Sequence, residues 1–112
     1  MSIKADVENI LIQLSYPVNE ATTEQLEAII ANTAGFFEFA KHIFSLQDEL
    51  KRFNATVAMS NSHPYLKLKS DSKDPVEIED FKSVIDTWAE KYKVELEKVE
   101  NKNTYYVIGK KS

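Results

Sequence analysis

The residues able to do chemistry in this chain are few and scattered. Only His42 and His63 could exchange a proton near neutral pH without help from their surroundings. His63 lies in Ser60-Asn61-Ser62-His63-Pro64, where it could act as a general base with a serine beside it. The same five residues suit a hairpin connection, because Asn, Ser and Pro each favour tight turns. No surrounding motif frames a nucleophile there. His42 follows Glu38 by four residues, which places both on one helix face, within reach of a shared metal ion. A structural metal site takes four ligands, and no second spaced pair completes this one. His42 is read instead as a histidine at the margin of a core. Neither catalytic nor metal-binding residues are assigned, and no cofactor is expected.

Other chemistries are excluded more simply. The chain has no cysteine, so disulfides, thiolate nucleophiles and cysteine-held metals are ruled out. It has two glycines, Gly35 and Gly109, where average composition would give about eight. Two distant glycines cannot build a phosphate-cradling loop or a nucleophile elbow. The acidic neighbours Asp48-Glu49, Glu77 with Glu79-Asp80, and Glu95 with Glu97 fall on helix faces or beside lysines. There they are solvated, not pushed toward a catalytic pKa. Tyr65, Lys67 and Lys69 alternate along one strand face. With Tyr105 or Tyr106 they would form a basic surface with stacking rings, as single-strand RNA binders use. Against this, Glu95 and Glu97 fall where they can share that face. The 14 basic and 18 acidic residues also leave a net charge of −4. Nucleic acid is disfavoured as a partner.

The largest apolar feature is a run of phenylalanines. From residue 36 to about 53 the apolar positions include Phe36, Phe37, Phe39, Ala40, Ile43, Phe44 and Leu46. At helical spacing this set spans roughly 200° of the circumference, against about 100–140° for an ordinary surface helix. Such a helix must be covered on two sides. It is either central in the fold or partly buried by a second subunit.

These residues need elements to hold them. Ile3, Val7, Ile10, Leu11 and Leu14 form one stripe of a first helix over about 2–15, with Ser2 as a possible cap and Tyr16-Pro17 as its end. Thr22 with Gln25 has the form of a capping box opening a second helix with Leu26, Ile29 and Ile30 inward. Gly35 predicts a break or kink before the aromatic helix. Residues 55–59 and 65–69 then read as a hairpin. Asp74, Pro75 and Glu77 mark a helix start, with Glu77 placed to reach back to the cap. Phe81, Ile85, Trp88 and Tyr92 share the inner face of that helix. Residues 94–99 and 105–108 make a second hairpin. A three-residue loop there would pair Leu96 with Ile108, and a two- or four-residue loop would reverse the faces. The last strand is apolar on both faces, which implies cover on both sides.

The expected fold is α+β: N-terminal helices, about 1–53, followed by a four-stranded, mainly antiparallel sheet in β-β-α-β-β order, about 54–110, in a single domain. The start Met1-Ser2-Ile3-Lys4-Ala5-Asp6 lacks a basic region followed by an apolar run, and no stretch approaches the length of a membrane span, so a cytoplasmic location is expected. Two functions fit. The first is a small non-enzymatic interaction or assembly protein, bound to itself as a homodimer or to another protein. Its contact is the aromatic helix face or the back of the sheet. The second is a ligand-binding or sensor domain with a small apolar ligand between the 36–53 helix and the sheet. The residues expected to line the interface or pocket are Phe36, Phe37, Phe39, Ile43, Phe44, Trp88, Tyr105 and Tyr106.

Overall fold

In the computed structural model, which describes residues 3–111 and the side chains from Asp6 to Lys111, the first helix α1 spans Ile3–Gln13. Ser2, read as its cap, lies outside the described residues. Val7, Ile10, Leu11 and Leu14 are buried, as the stripe requires. The Tyr16 N–H donates to the Leu11 carbonyl at 2.8 Å and closes the helix end. The second helix, α2 (Glu20–Asn32), starts three residues earlier than the Thr22–Gln25 pattern implies. Asn19 is the cap. Its side chain accepts the Thr22 N–H at 2.9 Å, while the Thr22 hydroxyl accepts the Asn19 N–H at 3.1 Å. Asn caps at least as well as Thr, so the reciprocal pair forms three residues upstream. Gln25 is thereby released, and it donates to the Ser60 carbonyl at 3.1 Å.

The break at Gly35 is real. Helix α2 stops at Asn32, Gly35 takes a left-handed φ of 65°, and α3 (Phe36–Leu50) begins. A 3-10 turn, Lys51–Phe53, extends α3, and Asn54 in the left-handed region ends it. The chain then forms β1 (Ala55–Met59), β2 (Leu66–Ser70), α4 (Pro75–Tyr92), β3 (Val94–Lys98) and β4 (Thr104–Lys110). At the start of α4, Asp74 accepts the Val76 N–H at 2.9 Å, with Pro75 at the first helical position. Glu77 does not reach back to the cap. Its carboxylate accepts from the Ser72 hydroxyl at 2.6 Å and from the Asn54 amide, while the Asp74 N–H donates to Ser72. A nearby hydroxyl and amide outcompete one backbone N–H for that charge.

The fold is α+β, with all four strands in one antiparallel sheet. Their spatial order is β1-β2-β4-β3, so the two hairpins join through their second strands. Cross-strand neighbours share a face. Met59, Leu66, Val107 and Leu96 form one row, and Val57, Leu68 and Tyr105 the next, both facing the helices. Phe39, Ile43, Leu46 and Leu50 of α3 and Phe81, Ile85 and Trp88 of α4 are buried in the same apolar cluster, which also takes in α1 and α2.

The final hairpin resolves the open register. The Val99 N–H donates to the Thr104 carbonyl, which makes a four-residue loop, and Leu96 pairs with Val107. A bulge between Glu95 and Leu96 then shifts the pairing, so Val94 lies opposite Lys110. Among the described residues, the cover expected on both faces of the last strand is found on one face only. Val107 is buried, while Tyr106 and Ile108 on the other face stay half-buried and outside the core cluster.

Both glycines meet at one junction. Ala34 pairs with Gly109 as an isolated parallel bridge, and the Lys110 N–H donates to the Ala34 carbonyl at 2.7 Å. A Cβ at Gly109 would lie 2.8 Å from the Ala34 nitrogen, at a φ of 153° that side chains rarely adopt. Gly109→Ala should therefore lower stability by about 2–3 kcal/mol in denaturant titration, from backbone strain and the lost contact. Thr33, beside this junction, is 3% exposed, and its hydroxyl has no hydrogen-bond partner among the described residues. A buried unsatisfied hydroxyl costs about 1–3 kcal/mol. Thr33 has an extended backbone that suits a β-branched residue, so Thr33→Val should raise stability by about 1 kcal/mol in the same measurement.

Candidate functional site

The chemistry-bearing side chains collect on the sheet face that the helices leave open. Alternation along β2 turns Leu66 and Leu68 inward and Lys67 and Lys69 outward. Strand pairing then sets Ala58, Lys67, Tyr106 and Glu97 side by side in one row across all four strands. Thr56, Lys69 and Thr104 make the neighbouring row. Tyr106 is therefore central, with a lysine on one flank and a glutamate on the other.

The turn between β1 and β2 fixes the Tyr106 ring. The His63 Nδ1 lies 3.1 Å from the Tyr106 hydroxyl and 3.1 Å from the Ser62 hydroxyl, and those two hydroxyls are 3.2 Å apart. Ser60 continues the chain of contacts to Ser62 at 3.2 Å. The rings of His63 and Tyr65 stand 5.2 and 5.7 Å from the Tyr106 ring. Histidine, serine and tyrosine thus meet on an exposed turn, where each hydroxyl has two or more partners. The arrangement holds the Tyr106 side chain in one place on the open face, which lowers the entropy cost of any contact made on it.

Electrostatics separate the two adjacent tyrosines. Hydrogen bonds from Ser62 and then Ser60 pull the Tyr106 phenol below its ordinary pKa against a small effect of burial, with Lys67 and Lys102 adding to the downward pull. Burial pushes the Tyr105 phenol up, reinforced by Asp86 and Glu79. Tyr105 lies on the core side, 6.1 Å from the Phe81 ring.

The residues singled out in the aromatic helix divide. Phe36, Phe39 and Ile43 are buried in the chain's own core, Phe44 is half-buried, and Phe37 is 51% exposed. Trp88 is buried, and its ring N–H donates to the His42 carbonyl at 3.0 Å. The His42 ring stacks on Tyr92 at 3.8 Å. These two rings border a groove of about 320 Å³ between α3 and α4, lined also by Ser45, Glu49, Thr87 and Lys91. Burial, then the charges of Lys41, Lys91 and Lys110, holds His42 below the usual histidine pKa. Among the described residues, no three His, Asp or Glu side chains converge in a way that could hold a metal ion.

Sequence reasoning identified Tyr65, Lys67 and Lys69 as one face and left Tyr105 and Tyr106 as alternatives. It missed that His63 and Ser62 belong to the same surface, because only strand pairing brings residue 63 to residue 106. A spectrophotometric pH titration of the tyrosines tests the arrangement. Tyr106→Phe should remove a phenol that ionises below the ordinary tyrosine range. Ser62→Ala should shift that same step to higher pH and leave the others in place.

Set against known proteins, the chain matches no family model, no curated protein and no solved structure, so the reading of this surface rests on its own geometry.

Proposed function

We propose that this chain is a small non-enzymatic interaction protein whose docking surface is the open face of the sheet. The observation that carries the reading is the clamped Tyr106 at the centre of that face, with Tyr65 and Ile108 near it and opposite charges on its two flanks. A rigid ring surrounded by half-buried apolar and charged groups is the composition that interface centres favour. The aromatic helix contributes less to this reading than its composition implies, since Phe37 is its one exposed phenylalanine ring. No helix among the described residues is long and apolar enough to cross a membrane, and a cytoplasmic setting belongs to the same proposal.

A second reading has its own observation. The groove between α3 and α4 joins a stacked His42–Tyr92 pair to hydroxyls and to one charge of each sign, as a small-ligand site would. It lies between two helices, and not between the aromatic helix and the sheet.

A photo-crosslinker tests the first reading, helped by the absence of native cysteine. Attached at Ala58→Cys, on the open face, it should give a discrete protein adduct that Ile108→Glu abolishes. Attached at Glu90→Cys, on the exposed side of α4, it should give background only. Equal labelling at both positions, or an adduct indifferent to Ile108→Glu, would overturn the proposal.

A further inference from the structure

The pairing of the strands defines a surface that is complementary to itself. In the central row, β4 supplies Tyr106, β2 supplies Lys67 on one side, and β3 supplies Glu97 on the other. Lys69, one row away, is already paired with Asp71 at 3.7 Å. Neither Lys67 nor Glu97 has an ion-pair partner in its own chain among the described residues. Each flank is one strand spacing, about 4.8 Å, from β4.

We propose that the docking partner of this face is a second copy of the chain, packed face to face about a two-fold axis that runs along β4. The inference rests on the open-face reading above and names its occupant. Rotation about such an axis keeps the strand direction and exchanges the two flanks. Lys67 of each copy then lies over Glu97 of the other, twice, while Tyr106, Thr104 and Ile108 meet their own counterparts at the centre. Sheets packed this way sit about 10 Å apart and turn by about 30° from each other. At one strand from the axis that turn displaces a residue by only about 2–3 Å, within the reach of a lysine stem. A two-fold contact between identical patches is the commonest way for one chain to satisfy such a surface. Single-stranded nucleic acid is the competing occupant, since rings and lysines share the face. Glu97 in the same row and a net charge of −4 oppose phosphate, and the Tyr65 and Tyr106 rings already pack on each other.

Charge exchange tests this on the purified full-length chain. Light scattering after gel filtration at tens of micromolar should give twice the 12.8 kDa chain mass for the unaltered protein. Lys67→Glu and Glu97→Lys, taken singly, each place like charges opposite one another twice, and each should weaken the dimer at least tenfold. Both variants should keep the thermal midpoint of the folded monomer. Mixed in equal amounts, they restore both opposite-charge pairs and should regain the dimer, as should the double variant. A monomeric unaltered protein, single variants as dimeric as the parent, or a mixture that stays monomeric would each overturn the inference. So would tight binding of a ten-nucleotide oligo-dT that Lys67→Glu abolishes and Glu97→Lys strengthens. If the unaltered chain is monomeric while the Ala58 crosslink to a different protein persists, self-docking alone is lost and the open-face reading stands.

Discussion

Strand β4 is paired on both sides, and its register decides the chemistry of this molecule. Side chains alternate along a strand, so a slip of one residue would exchange Tyr105 with Tyr106 and send the clamped ring into the core. Several contacts hold the observed register. The four-residue loop sets it at one end, and the bulge beside Leu96 absorbs the extra residue in β4. The bridge from Ala34 to Gly109 secures the other end, where β2 has run out and β4 would otherwise be unpaired on that side. Gly109 is tied to this place because the Ala34 backbone occupies the space a side chain would need. The junction also anchors the break between α2 and α3, so the same contact positions the aromatic helix over the sheet.

The local parts of the fold were legible in the sequence because each is set by near neighbours. Gly35 announced the helix break, Asp74-Pro75 announced α4, and the alternation of residues 66–69 announced the faces of β2. What escaped was settled by competition or by distance along the chain. Asn19 displaced Thr22 as the cap because both are good caps, and Thr22 serves instead as the reciprocal partner, its hydroxyl also donating to the Pro17 carbonyl at 2.7 Å. Glu77 bonded to Ser72 and Asn54 because the loop folded back on the helix start. The spatial strand order and the company of His63 with Tyr106 depend on pairings between residues 35 to 43 positions apart, which no local pattern encodes.

The width of the aromatic stripe has a direct physical account. Helix α3 packs against β1, α4 and β4, so it is enclosed from more than one direction. Phe36 touches Phe39 at 5.9 Å, and Phe39 meets the Trp88 ring edge-on at 6.4 Å. Edge-on packing of rings adds to the stabilisation that burial alone supplies. The breadth of the stripe therefore reports the central place of α3 in the fold, and the two-sided cover it demanded comes largely from the chain itself.

The outer strands carry one more consequence. On β1 the Met59 N–H points away from the sheet and is taken by the Tyr16 hydroxyl at 2.8 Å. On β3 the exposed residues Glu95, Glu97 and Lys98 line the opposite border with charge. Borders treated in these two ways resist lengthening of the sheet by a stranger's strand. Growth into open-ended ribbons, the usual hazard of a small sheet, is thereby discouraged.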